Sequence, residues 1–487
     1  MSSIHRTPLA LGLAFAFTAG AAAAADEPPI VIQANSSLEM SLESVRLPGG
    51  EHVGLFGANY LFEMAPGWAA GPALYGAVTG QRGGLFTWGA EVQRRWALTE
   101  RWRGVAGLYV GGGGGAAAPV GGGLMLRPHA DLLFGFGGWG GGVSISQVRF
   151  PSGDIHGTQI GLVFMRDGGF AYTAPGARGR SLDFSGSGGL GTDRADLVVG
   201  HYFRASGSAN SLSTVGMRLE HEWSPVLATT FEADGAASGG ADGYAEATVG
   251  AQALWPVVGD WLRLGARAAV GMAGGGAVAT GGGLIGKAAL ATRLQWGRNL
   301  TLGLEAGKLR AFNGRLRADY VQASLGFALD APAPCELGAC RRVHEMEWGL
   351  GVQEYAHAQR KNGAVESMSA IGLEFNRWLD DHFYLAGKAY SAITGGAGAY
   401  SIGLVGPGAA WRGSHGLSLG AEALVGAAGG GGVASTGGAV TQPMLWGGYE
   451  LGRYNRLRLS AGYLKSLRGA LATPVVGLTW IVEFGVP

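Results

Sequence analysis

The sequence predicts an all-β protein, a large antiparallel up-and-down transmembrane β-barrel of about 24 strands built from three repeats of about eight strands. Three observations lead to this prediction. A glycine-rich block occurs three times, and its copies lie roughly 155 residues apart. Apolar and polar residues alternate with a period of two along most of the chain. The chain is also rich in apolar residues and poor in charge, which suits a protein whose outer surface contacts lipid.

The repeated block consists of a strand of small residues, a glycine-rich reversal and a second strand. It reads GLYVGGGGGAAAPVGGGLMLRPHADLLFGF from residue 107, and related segments start at residues 266 and 421. A solenoid repeat has a much shorter period, whereas this period has room for eight short strands. The predicted repeats cover about 36–167, 195–329 and 344–485. Residues 181–189 are predicted to be either an additional strand or a loop.

Strand segments in the repeats have one uniform apolar face and one variable face. In LFTWGAEVQRRWAL the apolar face includes Val92, and the opposite face includes Glu91. At one aligned position the variable face carries Gly107, Arg267 and Glu422 in the three copies. A dry core would not accept arginine or glutamate there without partners, but an aqueous lumen would. The variable face is therefore predicted to point into a lumen.

Polar side chains on this variable face are the candidate lumen-lining residues. Charges of both signs are mixed among them, and the net charge of the chain is +1, so we expect weak ion selectivity. The candidates are Glu91, Arg95, Arg127, His129, Asp131, Arg218, Glu220, Glu222, Arg267, Lys287, Arg293, Glu374 and Glu422.

Composition and the amino-terminal segment favour an exported membrane protein. Hydrophobic residues make up 47% and charged residues 15% of the chain, whereas about 25% charge is typical of soluble domains. Residues 1–25 combine a basic start, an apolar segment and an Ala-rich cleavage site ending at Ala25, which predicts a signal peptide. The mature chain, 26–487, is expected to be a single β-barrel domain. Its apolar runs are too short for a membrane-spanning helix.

The turns divide into two chemically different sets. One set carries Trp, Tyr and charged residues, as in WALTERW at 96–102 and WPVVGDW at 255–261. The other set contains Gly, Ala and Ser and includes three glycine-rich hairpins at 111–123, 271–283 and 426–438. Alternate turns of an up-and-down barrel lie at opposite ends, so we expect an aromatic rim and a glycine-rich rim.

Two cysteines, Cys335 and Cys340, lie in the junction between the second and third repeats. Because exported chains enter an oxidising compartment, these residues are predicted to form a local disulfide. Their spacing does not match a common metal-binding motif.

With its signal peptide, its alternation and its Trp-bearing turns, the chain resembles bacterial outer-membrane β-barrel proteins from about residue 36 onward. The last predicted strand, TPVVGLTWIVEF, ends in alternating apolar residues and Phe484, as the terminal strand of such proteins does. Gly485, Val486 and Pro487 follow the aromatic residue, which departs from the pattern of the class. The resemblance implies a place in the bacterial outer membrane, contact with its lipid, and an aromatic rim on the periplasmic side.

Motifs of other function classes are weak in this sequence. No H-E-x-x-H pattern occurs and the histidines are isolated, so we expect no enzyme activity, no cofactor and no metal. His129, with Arg127 and Asp131 on the same face, is interpreted as part of a polar ladder in the lumen. GGGLIGK at 281–287 lacks the Gly-Lys-Ser/Thr ending of a phosphate-binding loop. The net charge of +1 argues against nucleic acid as a partner.

The first functional hypothesis is an outer-membrane pore or export conduit with a wide, mixed-charge aqueous lumen. A barrel of about 24 strands is too wide for its side chains to fill. Such a lumen would leak unless something narrows it. Either residues 168–194 or the glycine-rich hairpins fold inward, or a protein partner occupies the lumen or its periplasmic end.

Two alternatives stand beside this hypothesis. The barrel serves as a structural or partner-docking protein without transport, or the repeats form three smaller eight-stranded barrels in tandem. The short junctions between the repeats argue against the tandem arrangement, because three separate membrane barrels would be crowded.

Overall fold

The computed structural model describes residues 31–184, 193–206, 211–259, 261–297, 300–329 and 340–486. The predicted signal peptide and Cys335 lie outside these residues, and the side chain of Cys340 is not described. The disulfide therefore stays a prediction. No helix in the described ranges is long and apolar enough to cross a membrane.

The first closed barrel contains eight antiparallel strands, and β1 pairs with both β2 and β8 to close it. Its strands are β1 (Ile32–Arg46), β2 (His52–Ala65), β3 (Trp68–Ala77), β4 (Phe86–Ala97), β5 (Trp102–Gly114), β6 (Met125–Phe136), β7 (Trp139–Arg149) and β8 (His156–Tyr172).

The second closed barrel follows a linker that contains a short strand, β9 (Ser181–Asp183). In this barrel the first strand pairs with the last as well as with the second. Its strands are β10 (Arg194–Ser206), β11 (Leu212–Glu222), β12 (Leu227–Ser238), β13 (Ala245–Val258), β14 (Leu262–Gly274), β15 (Leu284–Trp296), β16 (Leu300–Ala311) and β17 (Arg317–Ala328).

The third closed barrel follows a second linker, which contains the short strand β18 (Cys340–Arg342). It closes in the same way, by pairing of its first and last strands. Its strands are β19 (His344–Gln359), β20 (Val365–Trp378), β21 (Phe383–Ala392), β22 (Ser401–Arg412), β23 (Leu417–Gly429), β24 (Ala439–Glu450), β25 (Asn455–Ser466) and β26 (Ala472–Val486).

The prediction of a single barrel of about 24 strands is therefore wrong, and the tandem alternative describes the fold. The first and last strands of each repeat pair with each other, as Ser36 does with Gly168, instead of pairing with the next repeat. Closure inside a repeat leaves no strand edge exposed. The strands that close it are also nearer in sequence than the two ends of the chain, which a single large barrel would have to pair. Crowding does not oppose this arrangement, because the barrels pack directly against one another.

The side chains of each barrel are arranged inside out relative to a soluble protein. Large apolar residues such as Ile160, Leu290 and Leu445 are exposed on the outer face, while charged residues face inward and are buried. Exposed tryptophans cluster at the strand ends that adjoin the Trp-bearing turns, which makes this end the aromatic rim. They are Trp68, Trp96, Trp102, Trp139, Trp223, Trp255, Trp261, Trp296 and Trp411.

Local hydrogen bonds shape the turns of the aromatic rim. After β20, the Asp380 carboxylate accepts the backbone N–H groups of His382 at 2.8 Å and Phe383 at 2.7 Å. These two bonds lower the pKa of the Asp380 carboxyl. A side chain that satisfies free backbone donors in this way defines the tight reversal between two strands.

The barrels contact one another in a ring at the glycine-rich rim. The glycine-rich hairpin of the second barrel lies against the β3–β4 hairpin of the first, where Gly83 N donates to Gly281 O at 2.7 Å. The glycine-rich hairpin of the first barrel lies against the β21–β22 hairpin of the third, where Gly398 N donates to Gly121 O at 3.1 Å. Each contact joins the hairpin between the fifth and sixth strands of one barrel to the hairpin between the third and fourth strands of another.

The third contact completes the ring. A Cβ atom added at Gly429, in the glycine-rich hairpin of the third barrel, would lie 2.0 Å from the backbone nitrogen of Gly243 in the β12–β13 hairpin of the second. Every barrel thus offers one hairpin and receives another. Interfaces of this head-to-tail kind close when the rotation between neighbours matches the number of units, which here is three.

Glycine is required where these hairpins meet. At Gly84 the backbone has φ 98°, and an added Cβ would lie 2.2 Å from the backbone nitrogen of Gly275. Both the conformation and the close approach exclude larger residues. Gly243 has φ 90°, and its Cβ would lie 2.7 Å from Gly430 N. The repeated glycines therefore allow backbone-to-backbone packing between barrels.

The two linkers pair with each other at the aromatic rim, where the first and third barrels also contact each other. Strand β9 pairs with β18, so the segment predicted as strand or loop contains a strand at Ser181–Asp183. Nearby, Thr173 and Gly485 exchange two backbone hydrogen bonds, of 2.8 and 2.9 Å. Phe62 and Trp348, from the two barrels, pack with ring centroids 4.8 Å apart.

We predict that Gly84→Val combined with Gly243→Val separates the second barrel from the other two. Each valine brings a Cβ into the backbone of a neighbouring hairpin, so both interfaces of the second barrel must open. Protease sites would be inserted at 185–192 and 330–339, and the cleaved protein would be run on a native gel. The wild type should migrate as one complex, and the double variant should release the second barrel.

The matched control is Gly49→Val combined with Gly363→Val. These glycines also have positive φ, 83° and 88°, but nothing lies within 4 Å of an added Cβ. The control therefore carries the same backbone strain without the collision. Release of the second barrel by the control as well would show that strain, and not the hairpin contact, governs assembly.

Candidate functional site

The interior of each barrel is the candidate site, because the inward faces gather nearly all the buried charge. Eight strands enclose a space that side chains are able to fill. In all three barrels this space contains a layer of ion pairs and, at the glycine-rich rim, a layer of apolar side chains.

In the first barrel the charged layer is built around Arg127. Its guanidinium forms a two-bonded pair with the Glu43 carboxylate, with distances of 2.9 and 3.0 Å, and donates to the Tyr75 hydroxyl at 3.2 Å. The Ser146 hydroxyl donates to the same carboxylate at 2.6 Å. A planar guanidinium matches a carboxylate in this geometry, so the pair is both strong and oriented.

His129 occupies the middle of the same layer, between two carboxylates. Its Nδ1 lies 2.9 Å from Asp131, and its Nε2 contacts Glu91. Gly107 lies opposite His129 on β5, and a Cβ there would come within 2.1 Å of Nε2. The small residue at that position therefore makes room for the imidazole.

Arg95 closes the charged layer toward the aromatic rim. Its guanidinium donates to the Ser37 hydroxyl at 2.8 Å and to the Gln93 side-chain oxygen at 3.1 Å. Gln93 in turn donates to Glu39 at 3.0 Å. The polar residues thus form one connected network across the barrel.

In the second barrel two arginines share the carboxylates of Glu232 and Glu305, and one lysine also binds Glu232. Arg218 contacts Glu232 at 2.6 Å and Glu305 at 2.5 Å. Arg267 reaches the same carboxylates at 3.3 and 3.6 Å. Lys287 contributes its ammonium group to Glu232 at 2.9 Å.

The second barrel also brings three carboxylates together, those of Glu232, Asp234 and Glu246. The Lys287 ammonium lies 2.8 Å from Glu246 as well as against Glu232. A cation of the chain itself thus pairs with two of the three carboxylates. The tyrosine hydroxyls of Tyr202 and Tyr244 each donate to Glu246 at 2.6 Å.

Three of the predicted residues lie at the mouth of the second barrel. Arg293 contacts Glu220, and its second terminal nitrogen lies 3.6 Å from Glu222. Arg194 approaches Glu222 at 3.8 Å. The Glu222 side chain is 40% exposed, so it borders the opening at the aromatic rim instead of lying deep in the barrel.

The third barrel repeats the scheme with different residues. Lys388 lies 2.6 Å from Glu422 and 3.3 Å from Glu374. Arg458 contacts Glu347 at 2.7 Å, and its guanidinium lies 4.0 Å from the centroid of the Trp446 ring. Strands from opposite sides of the barrel thus contribute to one layer.

The structure places all thirteen predicted lumen-lining residues on inward faces, and most are buried in ion pairs. Sequence reasoning missed many of their partners, although these follow the same period of two: Glu39 and Glu43 alternate in SLEMSLESV, and Arg456 and Arg458 alternate in NRLRLS. The missed partners are Glu39, Glu43, Glu232, Asp234, Glu246, Glu305, Glu347, Lys388, Arg456 and Arg458.

The glycine-rich hairpins fold over the ends of their own barrels. Val120, Val278 and Val433 from the three hairpins are buried among apolar side chains of the barrel wall. The hairpins are tied down by backbone bonds to the turn between the seventh and eighth strands, as from Asp154 N to Pro119 O at 2.9 Å. A cavity of about 10 Å³ remains in this layer of the first barrel, which is too small for a solute.

The other segment proposed to fold inward does not do so in its described part. Gly168 to Tyr172 belong to β8, and residues 173–184 lie with β18 at the aromatic rim. The narrowing of the barrels therefore comes from the glycine-rich hairpins and the charged layers.

One segment has the G-x-S-x-G form of a hydrolase nucleophile turn, Gly416 to Gly420. That motif needs a sharp strand-to-helix turn that exposes the serine. Here Ser418 is buried inside strand β23, and its hydroxyl lies 3.4 Å from Gly448 O. The local structure therefore gives this serine no catalytic setting.

No protein-family model and no curated protein matches the chain. Solved structures match over most of its length, including the siderophore receptor PirA from Pseudomonas aeruginosa, with 10% identity, 94% of this chain, 81% of that chain and a TM-score of 0.26. The outer membrane protein OpdK from the same organism matches with 9% identity, 92% of this chain, 99% of that chain and a TM-score of 0.23.

The copper transporter OprC matches with 11% identity, 93% of this chain, 80% of that chain and a TM-score of 0.29. Similarity at this level transfers no substrate, activity or barrel arrangement to the chain.

We predict that Arg127→Met lowers the free energy of unfolding by about 3–5 kcal/mol, because it leaves the Glu43 carboxylate buried without its charge partner. Urea unfolding of the folded protein in detergent, followed by the shift in gel mobility between folded and unfolded forms, measures the change. Restoring neutrality with Glu43→Gln in the same chain should recover part of the loss.

The matched control is Arg149→Met in β7 of the same barrel. Arg149 is exposed on the outer face, so its replacement should change the free energy of unfolding by no more than about 0.5 kcal/mol. Equal effects of the two substitutions would contradict the assignment of a structural role to the buried pair.

Proposed function

We propose that this protein is a bacterial outer-membrane protein that forms a cluster of three closed barrels and serves as a membrane-embedded structural or docking protein. A membrane location is supported by the outward apolar faces and the tryptophans at one rim. Soluble proteins rarely expose continuous apolar surface of this extent, whereas lipid requires it. A closed barrel also leaves no unpaired strand edge in lipid.

One observation carries the docking role, namely that each barrel is filled from within. The pairs around Arg127, Lys287 and Lys388 occupy the charged layer, and an apolar layer lies between that layer and the glycine-rich rim. A solute would have to break buried ion pairs and displace the apolar layer to pass through. Eight-stranded barrels of this kind hold side chains instead of an aqueous channel.

The same arrangement gives the protein two different surfaces. The first strand begins and the last strand ends at the aromatic rim, which faces the periplasm in the proposed orientation. The glycine-rich rim then faces outward and carries the glycine-rich hairpins of the three barrels at equivalent positions. A rigid cluster of three barrels is suited to presenting such a surface to a partner.

A second candidate function is a gated pore, and the hairpins favour it. Each glycine-rich hairpin is a connecting segment that covers the apolar layer at the end of its barrel, and loops that cover a site are elements that open in gated proteins. Glu222 and Arg293 already border an opening at the other end of the second barrel. Displacement of a hairpin would uncover the apolar layer.

Conductance across a planar bilayer distinguishes the two candidates. The docking function predicts no steady conductance for the wild type, nor for a variant in which each glycine-rich hairpin is replaced by a two-residue turn. The charged layer would still fill the barrels of that variant. Correct folding of both proteins would be checked by their different gel mobility before and after boiling.

Steady conductance of the wild type would refute the docking proposal in favour of an open pore. Conductance that appears only in the hairpin variant would support the gated pore. Failure of the protein to enter detergent micelles or bilayers at all would refute the membrane location on which both functions depend.

A further inference from the structure

Basic residues recur at one position on the outer face of all three barrels. Arg149 on β7, Arg310 on β16 and Lys465 on β25 lie on the seventh strand of their barrels, next to the glycine-rich rim. Each pairs with the first residue of the eighth strand, and each is exposed. All three barrels thus carry a basic side chain at the same point of the outer surface.

The second barrel has the strongest cationic group. Arg310 lies directly opposite Arg317 in the antiparallel pair β16–β17, and both side chains are exposed. Within the described ranges neither arginine forms an ion pair. Like charges directly opposite each other destabilise a sheet. An anion bound between the two guanidinium groups would remove this repulsion.

The position of the pair relative to the apolar surface indicates the source of the anion. Along β16 the outward residues are Leu302, Leu304, Ala306, Lys308 and then Arg310. The apolar belt therefore ends where the cations begin. An anion bound here would lie at the boundary between the lipid chains and their head groups.

Nearby charges add to the same surface. In the described part of the chain, the Asp319 carboxylate forms an ion pair with Lys308 at 2.8 Å, and not with Arg310 or Arg317. The turn between the seventh and eighth strands adds exposed Arg315 in the second barrel and Arg468 in the third. In the first barrel the equivalent turn carries an exposed acid, Asp154, beside Arg149.

We propose that the hairpin between the seventh and eighth strands binds the phosphate groups of a phosphorylated glycolipid in the outer leaflet, and that Arg310 and Arg317 of the second barrel form the strongest site. Guanidinium groups bind phosphate oxygens through paired hydrogen bonds. The lipid acyl chains would lie against the apolar belt below. This inference rests on the membrane location in the proposed function.

The test compares the double variant Arg310→Gln, Arg317→Gln with the wild type in detergent micelles. The probes are diphosphorylated lipid A, the same lipid without phosphates, and inorganic phosphate. Native mass spectrometry measures how much of each probe stays bound. The affinity of the variant for the diphosphorylated lipid should be lower than that of the wild type by a factor of at least about ten.

The matched control is Arg101→Gln combined with Arg453→Gln. These residues are also exposed, and they lie in turns at the aromatic rim, so the control removes the same charge from the opposite end. It should bind the lipid as the wild type does. The dephosphorylated lipid and inorganic phosphate should bind weakly to all three proteins.

Equal lipid binding by the variant and the control, with normal mobility shifts on boiling, would overturn this inference and leave the membrane location intact. Equally tight binding of inorganic phosphate would overturn the assignment to a lipid. Folding of the wild type into a soluble protein without detergent would refute the membrane location itself, and the inference with it.

Discussion

The narrow interior of an eight-stranded barrel is the constraint on which the rest of this structure depends. Such an interior is too small to hydrate every inward charge, so each charge needs a partner within reach. Arg127 with Glu43, Lys287 with Glu232 and Lys388 with Glu422 meet this need in the three barrels. Charged residues therefore lie on the inner face of each barrel, and large apolar residues lie on the outer face.

Aligned positions in the three barrels show how copied strands satisfy this constraint in different ways. The sixth residue of the fifth strand is Gly107, Arg267 or Glu422. Gly107 gives space to His129, Arg267 reaches Glu232, and Glu422 receives Lys388. A change at one position is matched by a partner on another strand. The interiors have therefore diverged in chemistry while each remains internally paired.

The sequence predicts the faces well and the closure poorly, for a physical reason. Period-two alternation depends only on which side of a strand is buried, so it placed Glu91, Arg267 and Glu422 on inward faces. The same alternation arises whether 24 strands form one barrel or three, because closure depends on pairing between distant strands. Pairs such as Arg127 with Glu43, which lie 84 residues apart, have no local signal either. The Trp-bearing turns, by contrast, identified one rim directly.

The order of the barrels along the chain accounts for the additional contacts between the first and third barrels. The chain runs from the first barrel to the second and from the second to the third, so a linker connects the barrels in each of these two pairs. No linker joins the third barrel back to the first. At that interface β9 pairs with β18, Thr173 bonds with Gly485, and Phe62 packs on Trp348. These contacts raise the local concentration of the two barrels much as a linker would. These contacts thus connect the first and third barrels, which are not consecutive in the chain.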